Sequence, residues 1–364
     1  MPTQITLDDL DDLAIGAALL GTGGGGDPYI GKLIARAALE KHGPVTLLGV
    51  DEVPDDASMV AVGTMGAPTI LIEKLPGGDE VGVALDAYEA HVGRKITGVV
   101  PFEAGGLNCM VPLAIGASRG LPVVDGDGMG RAFPQLEMVT FNVYGASCAP
   151  IALADEHGTA IIISTQDSAR GEMLARAATI KMGGQSALIS YGMDGATVRR
   201  CAVPGTISLA LGIGRVIRRA RAERRDAIAD LIAFFEGTHY GAARLLVSGK
   251  IEDVSRREKD GWSLGEVTIK PFDAEQAPVT IQIQNENLMA EQGGTVLAIV
   301  PDLVTILDRD TSEPITTERL HYGQRVNVLG IRVPELMRTP EALAVFGPQA
   351  FGLPHAYSPL QSRV

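Results

Sequence analysis

Cysteine is scarce in this chain. Its three cysteines, Cys109, Cys148 and Cys201, are odd in number and widely spaced, which fits neither a disulfide framework nor a tetrahedral zinc site. Reduced thiols are expected. The six histidines, at 42, 91, 157, 239, 321 and 355, show no His-x-His or His-Glu-x-x-His spacing, so a histidine-based metal centre is disfavoured and no cofactor is expected. Positive charge is also short: 31 Lys and Arg stand against 44 Asp and Glu, a net charge of -13. That balance opposes attraction to nucleic acid and to anionic lipid, and neither is expected as a partner. The one basic cluster, Arg218, Arg219, Arg221, Arg224 and Arg225, follows an apolar stretch and suits the C-terminus of a solvated helix. No apolar run reaches the roughly 18 residues of a membrane helix. The acidic Met1 to Asp12 lacks the basic start and apolar core of a secretory signal, and a cytoplasmic location is expected.

What is present is a globular composition, 46% hydrophobic and 21% charged over 364 residues, enough for two packed cores. Leu7 to Leu20 has the apolar spacing of a helix and stops at Gly21. The run Gly21-Thr22-Gly23-Gly24-Gly25-Gly26-Asp27-Pro28 leads into a second helix, with Asp27 as N-cap and Pro28 at its first position. Val45 to Val50, Met59 to Val62, Ile96 to Val100 and Pro122 to Asp125 read as buried strands, with helices near 80–92 and 107–118 between them. Met138 to Tyr144 and Ala160 to Ser164 add expected strands, and helices follow near 168–182 and 204–221. From about Ala242 the pattern becomes short β-type runs bounded by Gly, Asp, Asn and Pro. The expected architecture is an α/β N-terminal domain with a mostly parallel sheet, residues 1–170, and a C-terminal α+β domain rich in antiparallel strands, residues 171–364.

Chemistry-bearing residues collect at a few turns. The glycines of residues 21–26 either form a mobile connector or let the backbone approach a ligand, pointing N–H groups at an oxygen. A dinucleotide or P-loop reading fails, because these glycines follow a helix and no Gly-Lys-Ser/Thr closes the run. Pro101-Phe102-Glu103-Ala104-Gly105-Gly106-Leu107-Asn108-Cys109 lies at the carboxyl end of an expected strand, where ligands gather in parallel sheets. There Glu103 suits a general base, Asn108 a donor to a developing oxyanion, and Cys109 a thiolate favoured by a helix dipole. Each also has a structural role open to it: helix-end electrostatics, a backbone bond, and a small buried side chain. Asp125-Gly126-Asp127-Gly128-Met129-Gly130-Arg131 follows the next strand and suits polar ligand contact or an Asx-rich turn, and lacks the remaining ligands of a calcium loop. Gln284-Asn285-Glu286-Asn287 ends a β-type run with four hydrogen-bonding side chains, and a polar turn accounts for it equally.

Taken in order, Gly21 to Pro28, Glu103 to Asn108, Val124 to Pro134, Pro204-Gly205-Thr206 and Gln284 to Asn287 resemble the S-methyl thiohydantoin desulfurase family over nearly the whole chain. The resemblance implies a two-domain fold of the kind just described and hydrolytic removal of sulfur from a five-membered ring, leaving a hydantoin. On residue chemistry the attack on the ring carbon comes from Cys109 or from water activated by Glu103, with Asn108 and the N–H groups of Gly105 and Gly106 stabilising charge. The expected substrate-binding set is Gly23, Gly24, Gly25, Asp27, Gly105, Gly106, Asp125, Asp127 and Asn285. Two other readings stay open: a non-catalytic or regulatory partner in a hydantoinase or oxoprolinase system, and a metal-dependent amidohydrolase using Glu103, Asp125 and Asp127. A homo-oligomer acting on a small molecule is expected, with association with hydantoinase-type enzymes as a further partner reading.

Overall fold

The computed structural model describes residues 3–66, 70, 77–259 and 262–360. A 3-10 turn at Leu7–Asp9 leads into helix α1 (Leu10–Leu20), and α2 (Pro28–His42) follows the glycine run. The Asp27 carboxylate accepts the Tyr29 N–H at 2.8 Å, and Pro28 takes the first helical position. This is the helix, loop, helix arrangement read from the sequence.

The first sheet contains β1 (Thr3–Ile5), β2 (Val45–Gly49), β3 (Met59–Gly66), β4 (Gly98–Pro101), β5 (Val123–Asp127), β6 (Ile151–Ala154), β7 (Ala160–Ile163), β8 (Gln185–Met193) and β9 (Val203–Pro204). Its order is β1-β2-β5-β4-β3-β8-β6-β7, with β9 paired to β5. The expected mostly parallel sheet is observed: β2, β5, β4 and β3 run parallel as neighbours, and antiparallel strands extend them on either side. Val60, Ala61, Val62, Val99, Val100, Val123 and Val124 are fully buried, as strands covered on both faces require. Helix α3 (Glu80–Val92) packs on β6 and β8, and α4 (Val111–Arg119) bridges α2 to β3 and β4.

Two elements depart from the sequence expectation. Met138 to Tyr144, read as a strand, holds the helical turn α5 (Thr140–Val143). The Thr140 N–H and hydroxyl both donate to the Gly128 carbonyl, at 2.6 and 3.0 Å, and Phe141 is buried. Anchoring to the turn after β5 thus outweighs the β-type composition. The second departure is β8, which follows α6 (Ser168–Lys181) and inserts antiparallel beside β3, so the first sheet draws both β8 and β9 from beyond residue 170.

Helices α7 (Gly195–Cys201), α8 (Thr206–Glu223) and α9 (Ala227–Glu236) lead to the second sheet. Its strands are β10 (Ala243–Lys259), β11 (Trp262–Pro271), β12 (Val279–Gln284), β13 (Glu286–Gln292), β14 (Thr295–Ile299), β15 (Leu303–Asp308) and β16 (Arg325–Ile331), followed by helix α10 (Pro340–Phe346). They pair antiparallel throughout, in the order β14-β13-β12-β11-β10-β16-β15. The arginine cluster lies at the end of α8 as expected, with Arg218 bonded to Asp12, Arg219 to Glu223 and Arg225 to Asp230. No helix among the described residues is long and apolar enough to cross a membrane.

Candidate active site

Strand β4 delivers Glu103 just beyond its carboxyl end, and the 3-10 turn Gly106–Cys109 places Asn108 beside it. The Asn108 amide is oriented by the neighbouring strand: its Oδ1 accepts the Thr64 N–H at 2.8 Å and the Thr64 hydroxyl at 2.9 Å. The amide nitrogen therefore faces the carboxyl and donates to Glu103 Oε1 at 2.7 Å. Glu103 is only 5% exposed, and its Oε2 has no hydrogen-bond partner. Burial pushes its pKa well above the ordinary carboxylate range, the nearby Glu286 and Asp127 charges push it further, and the Asn108 bond opposes them.

The glycine-rich loop crosses this turn backbone to backbone. Gly25 O accepts the Leu107 N–H at 2.8 Å, and a Cβ on Gly106, whose φ is +55°, would lie 2.1 Å from that same oxygen. The loop's other side is fastened to β13 and to the 3-10 turn Thr317–Arg319 that precedes β16: Asn287 N–H donates to Thr22 O at 2.8 Å and Thr317 N–H to Gly23 O at 2.9 Å. These bonds lay the β12–β13 turn on the loop, where a side chain on Gly24 would stand 2.2 Å from Glu286 Oε1. Glu286 is 3% exposed, its Oε2 is also unpartnered, and burial raises its pKa to about 8. Behind both carboxyls lies the fully buried Arg131, which donates to the Thr22 hydroxyl and to the carbonyls of Ala132, Asn287 and Asp302. Its guanidinium lowers the pKa of each glutamate, opposing the desolvation that raises it.

Glu103 and Glu286 line one cavity of about 560 Å³, together with Gly24, Gly25, Gly26, Thr64, Asn108 and Asn285. Its apolar wall includes Phe102, Leu107, Met129, Phe133, Leu136 and Leu188, and Arg176 and Arg256 also line it. Carboxyl groups held dry among apolar walls suit proton transfer, since small changes in their surroundings move their pKa values across the neutral range.

Of the residues expected at the site, the structure brings together Glu103, Asn108, Gly24, Gly25 and Asn285. It places the others behind or beside the cavity. Asp127, fully buried, accepts the N–H groups of Ala104 and Gly130 and so braces the glutamate turn. Asp125 accepts the N–H and hydroxyl of Ser208 at 2.9 and 2.6 Å, holding the start of α8. Asp27 caps α2 and meets Arg319 at 3.3 Å, Gly23 packs on Thr317, and Gly105 and Gly106 lie under the glycine loop. Among the described residues, no group of three His, Cys, Asp or Glu side chains is arranged to hold a metal ion, and Glu103, Asp125 and Asp127 do not converge as such a set would.

Cys109 calls for the clearest correction. It is fully buried outside the cavity lining, and desolvation, with the charges of Asp127, Glu103 and Asp125, raises its pKa far above the usual thiol value. The surrounding carboxylates and the loss of water outweigh any helix dipole, so the thiolate expected there is not supported. Cys109→Ala is expected to retain catalysis within about threefold while lowering stability by about 1 kcal/mol, as removal of a small buried side chain does. Steady-state rates and thermal melting check this, and loss of turnover in a folded variant would restore the thiol's claim. Sequence reasoning left Glu286 within a polar turn. The signal available was a glutamate one residue before the apolar run Leu288-Met289-Ala290, which the structure buries.

A parallel-centred sheet, an antiparallel partner sheet and a carboxyl-lined cavity where they meet a glycine loop define a two-domain α/β protein with an enzyme-like site. This chain belongs to the S-Me-THD-like family: residues 8–165 match its N-terminal domain and residues 166–360 its C-terminal domain. The fold is shared with the crystal structure of a protein from Chromobacterium violaceum, 24% identical, with a TM-score of 0.82 over 99% of this chain and 100% of that one. No curated protein matches.

Proposed function

We propose that this protein is a hydrolase that removes sulfur from an S-methyl thiohydantoin-type ring, releasing methanethiol and leaving a hydantoin. The observation that carries this reading is the Glu103 carboxyl at the cavity wall, with one oxygen buried and unpartnered and the other held by an amide that Thr64 has already oriented. Family membership supports the substrate class. A cavity of about 560 Å³ suits a small ring and its substituent.

Ionised Glu103 takes a proton from water as the water oxygen bonds to the ring carbon carrying sulfur, and the C=N electron pair moves onto nitrogen. Asn108 stabilises the carboxylate form of the base through its donated bond. The proton held by Glu103 passes to the ring nitrogen, and collapse of the tetrahedral carbon forms the carbonyl with loss of the hydroxyl proton and breaks the C–S bond, whose electron pair leaves on sulfur and takes up a proton as methanethiol. Incubation with a panel of S-methyl thiohydantoins in ¹⁸O-water is expected to release thiol and place one labelled oxygen in the product carbonyl. Absence of thiol release across the panel overturns the reading.

A further inference from the structure

We propose that Glu286 is the proton donor to the departing sulfur, so that the second sheet supplies the acid to a site whose base comes from the first. This rests on the desulfurisation reading above. The position is built rather than incidental. The Asn287 to Thr22 bond, together with Thr317, whose N–H donates to Gly23 and whose hydroxyl donates to the Asn285 carbonyl, fixes the β12–β13 turn on the glycine loop, and the bare Gly24 leaves room for the Glu286 carboxyl. Glu286 is 3% exposed, lines the same cavity as Glu103, and carries a buried oxygen with no partner.

The roles divide by surroundings. Glu103 receives the Asn108 amide proton, a bond that favours its charged form. Burial favours the protonated form of both carboxyls, and what sets them apart is that, among the described residues, no side chain donates a hydrogen bond to Glu286. A negative charge on Glu286 opposes ionisation of Glu103, and the buried Arg131 guanidinium lowers the pKa of both. As the C–S bond breaks, its electron pair stays on sulfur, which takes the Glu286 proton and leaves as methanethiol. The proton released from the tetrahedral hydroxyl, as its oxygen becomes the carbonyl, restores Glu286.

A leaving-group comparison tests this. An S-(2,2,2-trifluoroethyl) thiohydantoin carries a group of similar size that departs more readily as a thiolate and needs less help from an acid. For Glu286→Gln, kcat on the S-methyl ring is expected to fall about 10²- to 10⁴-fold, the range for loss of a general acid. On the trifluoroethyl ring it should fall less than about tenfold, with KM little changed on either. Glu286→Asp, which keeps an acid at greater distance, should fall between. Equal losses on both rings in a variant that melts with the wild type, or no loss on either, overturns the donor role while leaving the desulfurisation reading intact. Wild-type protein that turns over neither ring overturns that reading, and the donor role with it.

Discussion

Glu103→Gln is expected to lower kcat/KM for thiol release by about 10³-fold, within the range lost when a positioned general base is removed. Glutamine keeps the carbonyl oxygen that accepts from Asn108 and nearly the same volume, so the turn after β4 keeps its shape. The two leaving groups compared for Glu286 should suffer alike, because attack by water needs the base whatever departs. Stability should respond in the opposite sense to activity. A carboxyl whose pKa is raised by folding contributes stability that is fully present below its unfolded value, near 4.5, and lost as pH rises through the folded value. Across that window the folded protein holds more protons than the unfolded chain, so unfolding becomes easier as the medium turns alkaline. Glu103→Gln cannot ionise, and it should therefore lose less stability than the wild type between pH 5 and pH 8. Denaturant titration at several pH values reads this out. A variant with wild-type turnover, or with an unchanged pH slope of stability, removes Glu103 from the place given to it.

Arg131→Met is expected to destabilise the fold by about 3 to 5 kcal/mol, the cost of withdrawing one partner from a buried polar network. Four acceptors lose their donor in this variant: the Thr22 hydroxyl and the carbonyls of Ala132, Asn287 and Asp302. Met fills much of the volume and stays apolar, so the loss reports hydrogen bonds and charge rather than a cavity. Burial draws the guanidinium down to about 10, which still leaves it charged at neutral pH and able to compensate the carboxyls in front of it. Because Arg131 touches the glycine loop, the aspartate-rich turn and both edges of the β13–β15 region, the active cavity should loosen along with the fold. Melting and turnover measured on the same preparation check this, and a variant that melts with the wild type would show that the network does not hold the two sheets together.

The elements that local chemistry dictates were readable directly. Asp27 and Pro28 start α2 because a capping carboxylate and a preset φ suit that junction wherever it occurs. The apolar runs of β2 to β5 could be placed because a strand buried on both faces must be continuously hydrophobic. The carboxyl end of β4 drew attention to Glu103 and Asn108 for the same reason, since parallel strands point their ends toward a ligand. Local pattern failed where a distant contact decided the matter. Thr140 bonds to Gly128 and turns an expected strand into helix, and Cys109 sits behind its turn rather than in front of it. Asp125 and Asp127, legible as polar residues past a strand, are consumed by backbone N–H groups that only the folded chain brings to them.

The amino-acid order alone determined the two kinds of sheet, the glycine loop between helices and the carboxylate with its neighbouring amide, because periodicity, capping and turn chemistry act over a few residues. Which carboxyls line the same cavity was decided only by tertiary structure. Glu286 stands 183 positions after Glu103 in the chain, and it reaches the same space through main-chain bonds between the second sheet and the glycine loop. Desolvation, which sets the protonation of both groups, belongs to the assembled walls of that space and is written in no short stretch of sequence.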